Sequence, residues 1–451
     1  MRGIPVFGAA ALLAVLPVVG AAQTPPAPES VVERNTTIVV KESPKPSPVS
    51  FMPYGFFLTN AFFTDSPGAR AYPTPSQCVG TAQCGGAFLI DVRQSRLGAR
   101  LVFNDTAGWT GATLTGLVEV DFNGGYGVGV NAAANAVSSV FYSPVIRLRK
   151  AYADASWGSE VKFTLRIGQD DRLVSPLRAV SLAYVANPLF QNAGLLHGRA
   201  PMAAARFDIT PKNGIAISVA AAALDPMDTT VTGTLPAAGF APAIDFGAGN
   251  RSRVPNFEGR IGVGLRMDGK KVVDLGGWAG WQKNRYFTPN TDTAIDQNTY
   301  ILGGDMTLNL WIVQVLGSIY KANGYEIPGA LNSQGVAISV AAAPVRITNT
   351  SAVPAFGGWF QVAVGPPTLF QVYGGWGGTQ TPFNALTGSL LSTTTPTARA
   401  VQSYMWAVGA IGYAGKNWRF SAEYAKDTTW WYAGQNSSTI GQFSLNSQVV
   451  F

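Results

Sequence analysis

Gly111-Ala112-Thr113-Leu114-Thr115-Gly116-Leu117-Val118-Glu119-Val120-Asp121-Phe122 sorts its side chains by parity. Ala112, Leu114, Gly116, Val118, Val120 and Phe122 fall on one set of alternate positions, whereas Thr113, Thr115, Leu117, Glu119 and Asp121 fall on the other. Successive side chains of a strand point to opposite faces, so this stretch predicts a strand with one apolar and one largely polar face. Val161–Gly168 repeats the pattern, with Val161, Phe163, Leu165 and Ile167 against Lys162, Thr164 and Arg166. Phe257–Met267 does so again, setting Phe257, Ile261, Val263, Leu265 and Met267 against Glu258, Arg260 and Arg266. Strands of about ten residues that alternate in this way build transmembrane barrels, with lipid on one face and water on the other.

The composition narrows the choice further. Of 451 residues, 47% are hydrophobic and only 13% charged, where soluble domains carry roughly 25% charge. Membrane helices are the usual cause of that balance. Yet no apolar run past the N-terminus approaches the ~18–20 residues that a membrane helix needs. The longest candidates lie around Ala216–Leu224 and Val336–Pro344. Disorder is excluded by the 24 Phe, 15 Tyr and 11 Trp. Glycine is enriched, with 51 residues, and what remains is a β-rich chain with little charged surface.

The two ends supply an address. Arg2, the apolar stretch Ile4–Gly20 and the small pair Ala21-Ala22 read as a secretory signal peptide over residues 1–22. Its removal lowers the formal net charge from +7 to +6. Residues 23–50 contain Pro25, Pro26, Pro28, Pro44, Pro46 and Pro48 and read as a Pro-rich periplasmic linker. Residues 51–451 are then the barrel domain. At the other end Phe443, Leu445, Val449 and Phe451 share one parity. A final strand ending in Phe resembles the signal that barrel-assembly machinery reads on bacterial outer-membrane proteins.

About sixteen antiparallel strands fit between Pro53 and Phe451. Short turns are expected near Asn104–Trp109, Trp157–Glu160, Pro211–Gly214, Asp268–Lys271, Gly365–Thr368 and Gly415–Asn417. One more, near Leu310–Ile312, has no turn chemistry and is required only because the chain must reverse. Eight longer segments lie between them, as short periplasmic turns and long external loops demand. An even strand number leaves both ends on the periplasmic side. Cys78 and Cys84, the only cysteines, fall in the first long loop and read as a local disulfide. Two thiols and one distant histidine fall short of a metal site, and no cofactor-binding pattern occurs. In Phe88–Phe103 the apolar parity changes from Phe88, Ile90 and Val92 to Leu97, Ala99, Leu101 and Phe103. A β-bulge near Gln94–Ser95 would restore a single lipid face.

The polar parity of the first third is basic. Arg93, Arg96, Arg100, Arg147, Arg149, Lys162 and Arg166 come from the second, fourth and fifth strands and form a pore-lining ladder. Asp91, Glu119 and Asp121 are the acids facing them. Each arginine taken singly could be a structural ion pair, but the surplus favours a role in ion selection. Later strands contribute fewer and more balanced charges. The third long segment carries Asp170, Asp171, Arg172, Arg178, His197 and Arg199 around an apolar middle, Val180–Phe190. Folding into the lumen would bury that middle and make the segment a constriction loop. The other reading leaves it outside, packed on neighbouring loops or another subunit.

Three segments, Gln94-Ser95-Arg96-Leu97-Gly98, Glu119-Val120-Asp121-Phe122 and Arg147-Leu148-Arg149-Lys150-Ala151-Tyr152, occur in this order. Gly168-Gln169 follows them and His197-Gly198-Arg199-Ala200-Pro201 closes the third loop. Together they resemble the DcaP-like outer-membrane porins and, more broadly, the sixteen-stranded trimeric porins. The resemblance spans about Phe88–Asp208 and thins beyond it, where Gly357-Gly358-Trp359-Phe360-Gln361 and Phe451 still fit. It implies a homotrimer in the outer membrane, a third loop inside the pore and diffusion of small anionic solutes such as dicarboxylates. Some members carry an N-terminal coiled coil, which the Pro-rich stretch here does not support.

Other classes compete with a porin. An outer-membrane hydrolase needs a nucleophile, a base and an orienting group within reach; His197 is the only histidine and no Ser or Asp stands recognisably beside it, so no catalytic residue is assigned. A plugged transporter needs a far longer N-terminal region. A sugar porin would use an aromatic track, for which Trp278, Trp359 and Tyr373 have the right parity. A structural or adhesive barrel leaves no distinct mark. A basic balance that would suggest nucleic acid in a soluble chain here points to small anions, as a channel's low-dielectric walls focus the field of their charges.

Overall fold

The computed structural model describes residues 49–65, 86–103, 111–124, 145–226, 252–287, 294–327, 336–342, 345–382, 400–431 and 437–451. These form a closed antiparallel barrel of sixteen strands. The first eight are β1 (Val49–Thr64), β2 (Ala87–Asp91 with Arg96–Phe103), β3 (Thr113–Asp121), β4 (Arg147–Trp157), β5 (Val161–Asp171), β6 (Arg199–Ile209), β7 (Gly214–Leu224) and β8 (Asn256–Met267). The second eight are β9 (Lys270–Phe287), β10 (Ala294–Leu310), β11 (Val313–Asn323), β12 (Pro354–Val364), β13 (Phe370–Gln380), β14 (Ala400–Ala414), β15 (Trp418–Trp431) and β16 (Ser437–Val450). A hairpin of Val336–Ala342 and Val345–Ala352 stands outside the barrel sheet, between β11 and β12.

Each strand pairs with its sequence neighbours, and β1 closes the ring on β16 from Phe56↔Val450 to Thr64↔Gln442. The parity change in β2 has the expected cause. Asn60 opposes Asp91 and Phe56 opposes Arg96, so β2 spends one more residue than β1 across this stretch. The Ser95 hydroxyl bridges the gap in the ladder, accepting from Leu58 N at 3.0 Å and donating to Leu58 O at 3.3 Å. The extra residue keeps Phe88, Ile90, Val92, Leu101 and Phe103 exposed on the lipid side.

Short turns alternate with longer segments over most of the barrel, but the expected long connections β9–β10 and β15–β16 span only residues 288–293 and 432–436. At Asp268-Gly269 both residues have positive φ (52° and 75°), the conformation a two-residue hairpin turn favours. Trp311-Ile312 is equally short, with Trp311 held at φ 49° without glycine's tolerance. This explains why no turn signal marked it. The expected turn at Asn104–Trp109, residues 1–48, and Cys78 and Cys84 lie outside the described residues. The first strand begins at Val49, two residues inside the stretch read as linker.

Lipid-facing positions such as Phe57, Ile167 and Ile319 are exposed and apolar. The buried apolar core is correspondingly displaced. It lies within the lumen, where the segment between β5 and β6 packs against the inner wall.

Candidate functional site: the lumen between loop and wall

The chain from Arg172 to Gly198 turns into the barrel because its apolar middle finds an apolar wall there. Val180, Leu182, Ala183, Leu189, Phe190, Ala193 and Leu195 cluster with Trp359 and Ala363 of β12, Tyr373 of β13, Met405, Ala407 and Ile411 of β14 and Ala425 of β15. Phe190 stacks on Trp359 with ring centroids 6.0 Å apart. The backbones approach closely: a Cβ on Gly194 would sit 2.1 Å from the Gly358 carbonyl oxygen, and one on Gly377 would sit 2.1 Å from that of Ala193.

Polar side chains of the wall take up the loop backbone, as burial requires. Gln361 of β12 accepts from Val180 N at 2.6 Å and donates to Val180 O at 2.9 Å. Glu423 of β15 accepts from Leu182 N (2.9 Å), Ala183 N (3.0 Å) and the hydroxyls of Ser181, Tyr373 and Ser421. Gln94, turned inward in the interruption of β2, accepts from Val185 N and Ala186 N at 3.0 and 2.8 Å. Its amide donates to Ala183 O at 2.7 Å. At the loop's root Arg172 is buried on Glu258 of β8 (2.6 Å) and on the Tyr325 hydroxyl (2.7 Å), so it belongs to an anchor rather than to the charged wall. The loop thus spans the lumen, from β5 and β8 across to β12–β16 and β1–β2.

The opposite wall is an ionic lattice. Arg149, fully buried, lies 2.8 Å from both Glu119 and Asp121. Arg147 is 2.6 Å from Asp121, Arg96 is 3.5 Å from Glu119, and Arg93 is 2.8 Å from Asp91. Arg166 contacts Asp154 at 2.7 Å, pairs with Asp170 and lies over the Tyr152 ring. Asp171 joins wall to loop, with Arg178 at 2.6 Å and Arg199 at 3.3 Å. Asp170 and Asp171 are the last residues of β5, and Arg199 is the first of β6, so they flank the loop and do not lie in it. Arg100 and Lys162 have no carboxylate within ion-pair distance among the described residues.

Sequence parity missed Lys150. Glu119 opposes Lys150 but Val120 opposes Leu148, so β4 carries an extra residue at Arg149. Both Arg149 and Lys150 therefore point inward, and Lys150 reaches Asp170 at 2.9 Å and Asp171 at 2.8 Å. The signal was available: apolar residues switch from Leu148 to Ala151 and Ala153, as they do in β2. Asp154, Asp170 and Asp171 also bring acid to this wall beyond Asp91, Glu119 and Asp121. Seven basic side chains of the wall, with Arg178 of the loop, meet six carboxylates there, which leaves a surplus of two before Arg100 and Lys162 are added. The three aromatic residues expected for a sugar track do not line one. Trp359 and Tyr373 pack on the loop, and Trp278 is buried with Val174, Leu196, Ile301 and Tyr320. His197 lies at the loop's end, 3.1 Å from Arg199. Burial, with Arg178 and Arg199 beside it, pushes its pKa well below the usual imidazole range despite Asp171.

No protein-family model and no curated protein matches the chain. Solved structures do. The crystal structure of the outer membrane channel DcaP of Acinetobacter baumannii superposes with a TM-score of 0.62 at 13% identity, over 89% of this chain and 97% of that one. An anion-selective porin from Comamonas acidovorans gives 0.50 at 11% identity, over 89% and 100%. The fold is that of the sixteen-stranded outer-membrane porins.

Proposed function

We propose that the chain is a passive diffusion channel of the outer membrane, favouring small anionic solutes such as dicarboxylates. The carrying observation is the asymmetry of the lumen. One side is filled by the docked loop, while the wall of β2–β6 keeps a surplus of basic groups. A solute passing between them meets that wall at close range, where low-dielectric surroundings strengthen the field. Burial of Trp278, Trp359 and Tyr373 withholds these three side chains from a sugar-guiding track. The reading includes a homotrimer, as the family resemblance implies, and requires no cofactor.

Reversal potentials across planar bilayers in a salt gradient test the charge reading. Arg147 and Arg149 are poor probes, because their loss strands buried carboxylates. Arg100→Gln with Lys162→Gln removes unpaired charge instead. Wild type is expected to prefer chloride, and the double variant to move toward zero selectivity. A cation preference that the double variant leaves unchanged would refute the proposal.

A further inference from the structure

Where the loop rests on the seam of the barrel, the structure leaves a small, largely enclosed space with basic walls. A cavity of about 40 Å³ lies there, between the loop and the inner faces of β16, β1 and β2. Gln448, Phe56 and Arg96 line it from the wall, and Arg178, Ser181 and Tyr184 line it from the loop. Among the described residues, no carboxylate lines it.

The two arginines bring more charge to this space than their partners cancel. Arg96 is 6% exposed and lies over the Phe56 ring, 5.2 Å from its centroid. Its one carboxylate within ion-pair distance among the described residues is Glu119, at 3.5 Å. Arg149 holds Glu119 more closely, at 2.8 Å, and the Tyr54 hydroxyl donates to it at 3.2 Å. Arg178 leans on Asp171, which Lys150 and Arg199 share. Arg178 also stands near enough to Arg96 for the two charges to repel. Nε of Arg96 and Nη2 of Arg178 are buried and make no hydrogen bond. A buried donor without an acceptor is costly, and on an undercompensated cation the cost is larger. An anion in the cavity would relieve both.

We propose that the cavity holds one resident monovalent inorganic anion of chloride size, shared by Arg96 and Arg178. Volume decides the class of ligand. A water molecule takes about 30 Å³ of the liquid, so a space of about 40 Å³ admits a single small ion and excludes a dicarboxylate. Charge-assisted donors of the two guanidinium groups replace part of the ion's hydration. Arg96 belongs to the wall and Arg178 to the loop, so the ion fastens one to the other, beside the hydrogen bonds of Gln361, Glu423 and Gln94. Without it, two like charges remain across the cavity. The ion stays while solutes pass, so the inference goes beyond the diffusion reading and does not depend on conduction.

The test uses the full chain purified in detergent. Chloride magnetic resonance reads bound chloride as excess line broadening, and crystals grown in sodium bromide read its position by anomalous scattering. Wild type is expected to broaden the chloride line and to show an anomalous peak in the cavity, in contact with Arg96 and Arg178. Arg96→Gln should lose the peak and most of the broadening. Arg178→Gln alters the loop side alone; it should show the same loss and keeps the measurement available if Arg96→Gln folds poorly. Succinate in excess should leave the peak in place, being too large for the cavity. A cavity that scatters as water, with no bromide signal, overturns the proposal. So does a signal that both variants retain, or displacement by succinate, which would make the cavity part of the solute path. Anion retention is read without conduction, so a failed channel assay with an intact peak would count against the channel reading alone.

Discussion

At the scale of single residues, pairing decides what each charge on the inner wall can do. Arg149 has no exposed surface and satisfies two carboxylates, so Arg149→Ala should destabilise the barrel by about 3–5 kcal/mol. Denaturant unfolding followed by tryptophan fluorescence will measure this, and a loss under about 1 kcal/mol would contradict the assignment. Lys150 holds Asp170 and Asp171 and has partial contact with the lumen. Lys150→Gln is therefore expected to free acidic charge and shift the reversal potential toward cations, with the fold retained. His197 gives a pH signature. Its native pKa is held below the unfolded value of about 6.5, so its contribution to stability is complete above that pH. That contribution falls away as the pH drops from about 6.5 toward the lowered native value. Wild type should lose melting temperature between pH 7.5 and pH 5 more steeply than His197→Gln, and parallel curves would show that His197 plays no part.

At the scale of elements, the third loop behaves as an internal core. Its apolar middle was legible in Val180–Phe190, because eight hydrophobic residues among eleven would be out of place in water. Its docking position was not legible. That depends on Gln361, Glu423 and Gln94, residues distant in sequence that register brings to one depth of the lumen. Gln94 faces inward only because β2 carries an extra residue, and Lys150 does so for the same reason in β4. A bulge is visible in sequence as a change of apolar parity, but its exact site depends on cross-strand pairing. Removing two of these three contacts with Gln361→Ala and Glu423→Ala should loosen the loop and raise single-channel conductance and open-state noise. An unchanged conductance would mean that the loop does not limit the passage.

At the scale of the whole molecule, closure of β1 on β16 removes both edges of the barrel sheet. The seam is tight at Gly55, where a Cβ would stand 2.4 Å from the Arg96 carbonyl oxygen and 3.0 Å from the Phe451 ring. Gly55 also exchanges backbone hydrogen bonds with Phe451, 3.1 Å in each direction. Gly55→Val is accordingly expected to lower the fraction of closed barrel. The unheated, fast-migrating band on a denaturing gel reports that fraction, and a wild-type yield would show that the seam tolerates a side chain.

The sequence by itself determined a barrel spanning a membrane, its strand number, and the face of most strands that meets lipid. Those follow from the period of two, which each strand carries locally. Tertiary structure alone decided which basic groups are spent on carboxylates and which remain free, and where the loop rests. Ion pairs and loop docking depend on register between strands far apart in the chain, and one extra residue in β2 or β4 changes which side chain faces the lumen. The low charge content thus gains a finer meaning. Most of the inner wall's charge is neutralised in place, and among the described residues of that wall Arg100 and Lys162 are left to act on a passing solute.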